Sequence, residues 1–230
     1  QSDREIAATV CELCHTRLPR SYGEIGRSGT QVIAPSRRGE AGTENLNAIL
    51  QARLNPADKS KKEYRFRDKI FREGDKMLQS QFNPSARHKS ERVRGDTTFR
   101  EGDKVMQIRN NYDMLWSRIS DDKTGNGIFN GDIGVIEEID IADSAMWVLF
   151  DDKRVQYEFN LLEDMEHAYA ITVHKSQGSE YPIVIIPACN AAQMLLSRNL
   201  LYTAVTRAQT MVIIVGREDI VYEMVSNNRQ

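Results

Sequence analysis

The chain has 230 residues, 40% hydrophobic and 28% charged, which suits one large domain, or one domain carrying a small insertion, around a sizeable core. Its 31 Lys and Arg against 33 Asp and Glu leave a net charge of −2, so overall charge selects neither nucleic acid nor membrane as partner. No apolar run approaches the roughly 18 residues of a membrane span, QSDREIAATV lacks a signal-peptide pattern, and three cysteines argue against a disulfide framework. A cytoplasmic location without a membrane partner is expected.

In chain order, Ser2 to Leu18 reads as an amphipathic helix with Ala7, Val10, Cys11, Cys14 and Leu18 on one face, broken by PRSYGEIGRSG. TQVIAPS reads as a short buried strand. A loop and a helix follow, with Thr43 as candidate N-cap and Leu46, Ile49, Leu50 and Leu54 facing inward. Residues 50–77 and 78–105 form a tandem repeat of period 28 in which FREGDK recurs unchanged at 71–76 and 99–104. Two copies are too few for a solenoid. The Lys/Arg-rich middle of each copy fits either a phosphate-facing loop or a solvated excursion.

From Lys104 the pattern turns to short strands rich in Val, Ile and aromatics: KVMQIRN, DIGVIEEID, AMWVLFD and RVQYEFN, joined by turn-formers. Four or five strands in under 60 residues suggest a small barrel. An α/β rhythm then returns: strand YAITV, strand PIVIIPA, helix SRNLLYTAVTRAQ, strand MVIIVG and helix EDIVYEMVSNN. Strands near-continuous in Val and Ile, alternating with helices, predict a parallel sheet covered by helices on both faces. The expected division is 1–56 with 168–230 as one α/β domain, 57–103 as a duplicated basic linker, and 104–167 as the barrel.

CELCH at 11–15 matches the haem-attachment pattern, but both cysteines lie on the apolar helix face and no second Cys/His pair exists, so core packing is expected and no metal site. WVLFDD and VIEEID imitate the strand that ends in Mg²⁺-binding acids, but they sit among hairpins. No G-x-x-x-x-G-K-[ST] run occurs, so the chain alone is not expected to cradle a nucleoside triphosphate. The polar run TVHKSQGSEY, straight after a buried strand, is the best ligand-gripping candidate. Lys175 offers a point charge for phosphate, Ser176 and Ser179 neutral donors, His174 a flat ring, and Gly178 a permissive backbone. Arg207, placed on the LLYTAVTRAQ helix, is the candidate for stabilising transferred phosphate charge.

YAITVHKSQGSEY resembles motif V of superfamily 1 DNA helicases and NLLYTAVTRA resembles motif VI. QVIAPSRRGEAGTENLNAILQARLNP resembles the motif IV region of their RecD-like branch. FREGDKVMQIRNNYD, with GIFNGDIGVIEEID, resembles the entry to that branch's inserted Src-homology-3-like barrel. The resemblance implies the C-terminal part of a bacterial ATP-dependent DNA helicase acting in repair or recombination: a second RecA-like motor domain with the SH3-like barrel inserted. Arg207 would be the arginine finger, and Arg37, Gly178 and Glu180 would contact nucleotide, with Arg38 the alternative to Arg37. Thr172, His174, Lys175 and Ser176 would line the DNA track. It further implies 5′ to 3′ movement, ATP and Mg²⁺ bound mainly by an N-terminal motor domain of the same protein, inactivity of this segment alone, and single-stranded DNA and repair or recombination proteins as partners. A non-catalytic nucleic-acid-binding or partner-docking module, using the basic residues at Lys61, Lys62, Arg87 and Lys89, is the competing reading.

Overall fold

The computed structural model describes residues 1–58, 61, 63–66 and 97–228. The first repeat copy's FREGDK and the basic residues Lys62, Arg87 and Lys89 lie outside that set. Two sheets organise the rest. The first is four-stranded and parallel, in the order β11 (Ala170–Thr172), β1 (Thr30–Ala34), β12 (Tyr181–Ala188) and β13 (Ala208–Gly216). β1, β11 and β12 are apolar on both sides because both faces are covered there, whereas β13 at the sheet edge buries only Val215. On one face, Val32, Ile183, Ile185 and Val215 meet Ile6, Val10 and Leu18 with Leu46 and Leu50. On the other, Ile33, Val184 and Ile186 meet α4 (Arg198–Val205) through Leu200 and Ala204, and α5 (Glu218–Ser226) through Ile220 and Met224. This is the RecA-like arrangement expected.

The first helix departs from its expected end. α1 (Asp3–Glu12) starts at a capping box in which the Glu5 amide donates to Ser2 Oγ at 3.3 Å and the Ser2 amide donates to Glu5 Oε2 at 2.7 Å. It does not stop at Leu18. A π turn over Leu13–Arg17 leads directly into α2 (Leu18–Ser28). Pro19 falls in the first turn of α2, where a missing N–H is tolerated, and the wider π turn relieves the clash its ring would make one turn back. The break comes later, at Gly23, with φ of 56°.

α3 (Thr43–Leu54) is capped by Gly42, not Thr43. A Cβ at Gly42 would lie 2.4 Å from the Arg38 carbonyl oxygen, so only glycine closes this loop, and Thr43 becomes the first, buried helical residue. Leu54 faces solvent instead of the core. At this end of the helix the buried positions belong to Gln51 and Asn55, which carry hydrogen bonds toward the second sheet.

That sheet is antiparallel and seven-stranded, ordered β10 (Met165–His167), β4 (Lys104–Gln107), β7 (Ile133–Asp140), β8 (Ala145–Phe150), β9 (Lys153–Glu158), β5 (Asn111–Arg118) and β6 (Thr124–Ile128). Ile136, Met146, Val148, Val155 and Tyr157 form one buried core as the SH3-like insertion. β5 and β6 are absent from the sequence reading. Only Met114 of β5 is buried, so no alternation marks it. β6 carries two glycines for different reasons: Trp116 lies across Gly125, where a Cβ would stand 2.3 Å from the indole, and Gly127 holds φ of 99°. Between the sheets, β2 (Glu63–Phe66) pairs antiparallel with β3 (Thr97–Arg100), and Phe99 of the second repeat copy enters the barrel core. No helix among the described residues is long and apolar enough to cross a membrane.

Candidate functional site

The segment 173–180 joins the carboxyl end of β11 to the amino end of β12. Thr172 pairs with Ala34, whereas Thr30 pairs with Ile183, so the segment traverses the sheet face. At about 3.3 Å per residue its two ends stand roughly 20 Å apart along the strands. The residues of the polar run therefore divide into two groups.

At the carboxyl end, Val173–Ser176 form a 3-10 turn. Ser176 is fully buried and donates its hydroxyl to the Val173 carbonyl at 2.7 Å, so it locks the turn and presents nothing outward, contrary to the expected DNA contact. His174 is exposed, while Thr172 and Lys175 are half-buried. Lys175 Nζ donates to Glu166 Oε2 at 3.0 Å. Arg37, three residues past β1, donates through Nη2 to Glu166 Oε1 at 2.8 Å, and its Nε lies 3.7 Å from Glu44. Arg38 is exposed. Burial pushes the Glu166 carboxyl up, but Lys175 and Arg37 outweigh it and hold the group below its ordinary range.

At the amino end, Gly178 turns the chain with φ of 85° and has open space where a Cβ would be, so its glycine serves backbone conformation, not close approach. Arg207 lies in the turn after α4, not on it. The chain must reach Ala208, which opens β13 opposite Tyr181, and Thr206 closes the helix by donating its hydroxyl to the Thr203 carbonyl at 3.0 Å. The guanidinium folds back over the polar run: Nε donates to Thr203 O at 3.2 Å, and Nη1 to Ser179 O at 3.3 Å. Glu180 is exposed and accepts from Gln209 Nε2 at 3.4 Å. Arg207, Gly178 and Glu180 thus come together, while Arg37 joins Lys175 at the opposite end. The geometry separates Arg37 from the group with which it was expected to act.

Two family models match the chain and together span more than half of it: the ATP-dependent RecD-like DNA helicase SH3 domain over residues 76–150, and the UvrD-like helicase C-terminal domain over residues 167–215. The chain belongs to the RecD-like helicase family. It is 31% identical over 201 residues to the ATP-dependent RecD2 DNA helicase of Deinococcus radiodurans, covering 87% of this chain and 22% of that protein. It is 39% identical over 94 residues to the RecBCD enzyme subunit RecD of Mycolicibacterium smegmatis, covering 41% of this chain and 16% of that one. This RecD-like chain therefore spans about a fifth of the length of these relatives. The crystal structure of Pif1 helicase from Candida albicans shares the fold, with a TM-score of 0.52 at 14% identity, over 97% of this chain and 51% of that one.

The RecD-like chain also contains a buried polar joint that the sequence reading missed. Asp103, fully buried, accepts from Gln51 Nε2 at 2.6 Å, Asn55 Nδ2 at 2.8 Å, the Arg100 amide at 2.8 Å and the Tyr169 hydroxyl at 3.0 Å, and lies 3.1 Å from His167 Nε2. Burial raises the Asp103 carboxyl, but hydrogen bonds and the charge of His167 bring it below its usual range. Beside it Lys104 Nζ donates to Gln31 Oε1 at 2.9 Å, and burial pulls this lysine down to about 8. The available signal was the FREGDK repeat itself, whose second copy supplies both residues. Cys11 and Cys14 pack in the core, where burial pushes the Cys14 thiol up to about 12. Among the described residues no three or more His, Cys, Asp or Glu gather as a metal site.

Proposed function

We propose that this segment is the second motor half of an ATP-driven DNA helicase that moves 5′ to 3′ along one strand, and that its two ligands are handled at opposite ends of the parallel sheet. The carrying observation is the traverse of 173–180, a continuous polar segment that holds Lys175 at one end and meets Arg207, through the Ser179 carbonyl, at the other. At the amino end Arg207 is the arginine finger. Its guanidinium now donates to the neutral carbonyls of Thr203 and Ser179, and a phosphate oxygen is a stronger acceptor than either because both partners of the bond are then charged. Gly178 and Glu180 shape the adjoining nucleotide edge. The triphosphate and its Mg²⁺ are held mainly by the N-terminal motor domain, so this segment alone hydrolyses ATP negligibly.

At the carboxyl end Thr172, His174 and Lys175 contact single-stranded DNA, with Ser176 fixing the turn from inside. Arg37 is reassigned from nucleotide to this strand-facing group by its ion pair with the carboxylate that also binds Lys175. A change at Ser179, to which Arg207 donates, is transmitted along a few residues to the strand grip, which couples nucleotide state to movement. The boundaries 1–56 with 168–230 for the motor domain and 104–167 for the barrel accompany this reading, with Phe99 and Asp103 of the preceding segment tying into the fold.

The test is Arg207→Ala in the full-length protein, read as ATPase at saturating single-stranded DNA. The expected loss is about 10³-fold or more, the usual contribution of such a finger. Activity retained within about threefold of wild type overturns the assignment.

A further inference from the structure

Glu166 stands on β10, the last strand of the barrel sheet, yet both carboxylate oxygens are committed to cations of the motor domain: Oε1 to Arg37 at 2.8 Å and Oε2 to Lys175 at 3.0 Å. Two donors from two loops, each meeting its own oxygen of one anion, also suit the two non-bridging oxygens of a phosphodiester. Neither cation is sealed from solvent. The Arg37 side chain is 37% exposed, Lys175 23% and Glu166 27%, so an external phosphate can approach and a displaced carboxylate can rehydrate. The loop runs close to the barrel, since a Cβ at Gly131 would stand 3.9 Å from the Lys175 carbonyl oxygen.

We propose that Arg37 and Lys175 form a phosphodiester-binding pair and that Glu166 is its built-in competitor, displaced when a strand phosphate takes its place. The inference rests on the reading that the 172–175 turn lines the strand track. Displacement releases a tie between barrel and motor domain, so strand occupancy and the contact of β10 with the motor loops exclude one another. Glu166 in this account weakens strand binding in exchange for making it reversible at each step.

The experiment measures binding of a short fluorescent oligothymidylate to the full-length protein, without nucleotide, at low and high salt. Glu166→Gln, which keeps the shape and removes the charge, tightens binding about fivefold or more at low salt, as expected for losing one partly exposed ion-pair competitor. The gain shrinks as salt rises. Glu166→Asp, which keeps the charge on a stem too short to reach both cations, gives a smaller gain and guards against a failure of the first variant to fold. In an Arg37→Ala, Lys175→Ala background, Glu166→Gln adds nothing. If the two cation variants each weaken binding but neither Glu166 variant tightens it, the competitor role is overturned while the track stands. If neither cation variant alters binding, the track reading falls and takes this inference with it.

Discussion

Replacing Asp103 with alanine removes the acceptor at the centre of the joint between the two sheets. Four donors lose a partner, though not equally, and His167 Nε2 loses the carboxylate oxygen 3.1 Å from it. Gln51 Nε2 retains the Thr98 carbonyl at 2.8 Å and Asn55 Nδ2 retains the Glu101 carbonyl at 3.1 Å. The Tyr169 hydroxyl and the Arg100 amide lose the carboxylate to which each donates. Each donor left unsatisfied in a buried setting costs about 1–3 kcal/mol. Relief from burying a charged carboxylate offsets part of that. The expected net loss is about 2–4 kcal/mol, a large share of the roughly 5–15 kcal/mol typical of a domain. Urea unfolding of the 230-residue chain, followed by tryptophan fluorescence and by far-ultraviolet circular dichroism, measures it. Both tryptophans, Trp116 and Trp147, lie in the barrel, so fluorescence reports that unit and dichroism the whole. Because the Asp103 carboxyl titrates below its ordinary range when folded, its contribution is present above the unfolded pKa of about 4 and fades as pH falls through the folded value. A loss under about 1 kcal/mol at pH 7, with no acid dependence separating variant from wild type, would refute the joint as argued from these hydrogen bonds.

Three further outcomes follow from single residues. Burial lowers Lys104 from 10.5 to about 8, so the unfolded chain binds the proton better between those values and stability rises with pH across that window. Relative to Lys104→Met, the wild type should gain up to about 3 kcal/mol from pH 8 to 10.5 in urea titrations, and a flat difference contradicts the burial argument. Gly178→Ala has room for its methyl but must hold φ of 85°, so it should cost about 1–2 kcal/mol by thermal unfolding through strain alone, with no loss from a steric clash. Gly125→Ala meets the Trp116 indole and should destabilise by about 1–3 kcal/mol with altered tryptophan fluorescence; an unchanged spectrum would contradict the packing described.

The parallel sheet was legible because VIIVG-type runs and intervening helices leave few other folds, and the polar run at 172–181 stood out for breaking so sharply from YAITV. What the sequence hid has physical reasons. Burial of Ser176 and the parting of Lys175 from Arg207 depend on where 173–180 crosses the sheet, which no local pattern records. β5 escaped because only one of its side chains is buried, and the glycines of β6 read as turn-formers when Trp116 was what required Gly125. Leu54 looked inward by helical spacing, but the end of α3 is spent on Gln51 and Asn55 reaching Asp103. Asp103 itself could not be told from a surface aspartate by sequence, since its partners lie 48 to 66 positions away for all but the Arg100 amide.

If nucleotide and strand are served at opposite ends of one sheet, ATPase at saturating DNA and strand affinity separate when measured together in Arg207→Ala and Arg37→Ala versions of the full-length protein. Arg207→Ala should lose about 10³-fold in ATPase with strand affinity nearly unchanged, while Arg37→Ala should weaken strand binding and keep its ATPase once DNA is saturating. Loss of ATPase in Arg37→Ala as deep as in Arg207→Ala, with strand affinity intact, would contradict this separation.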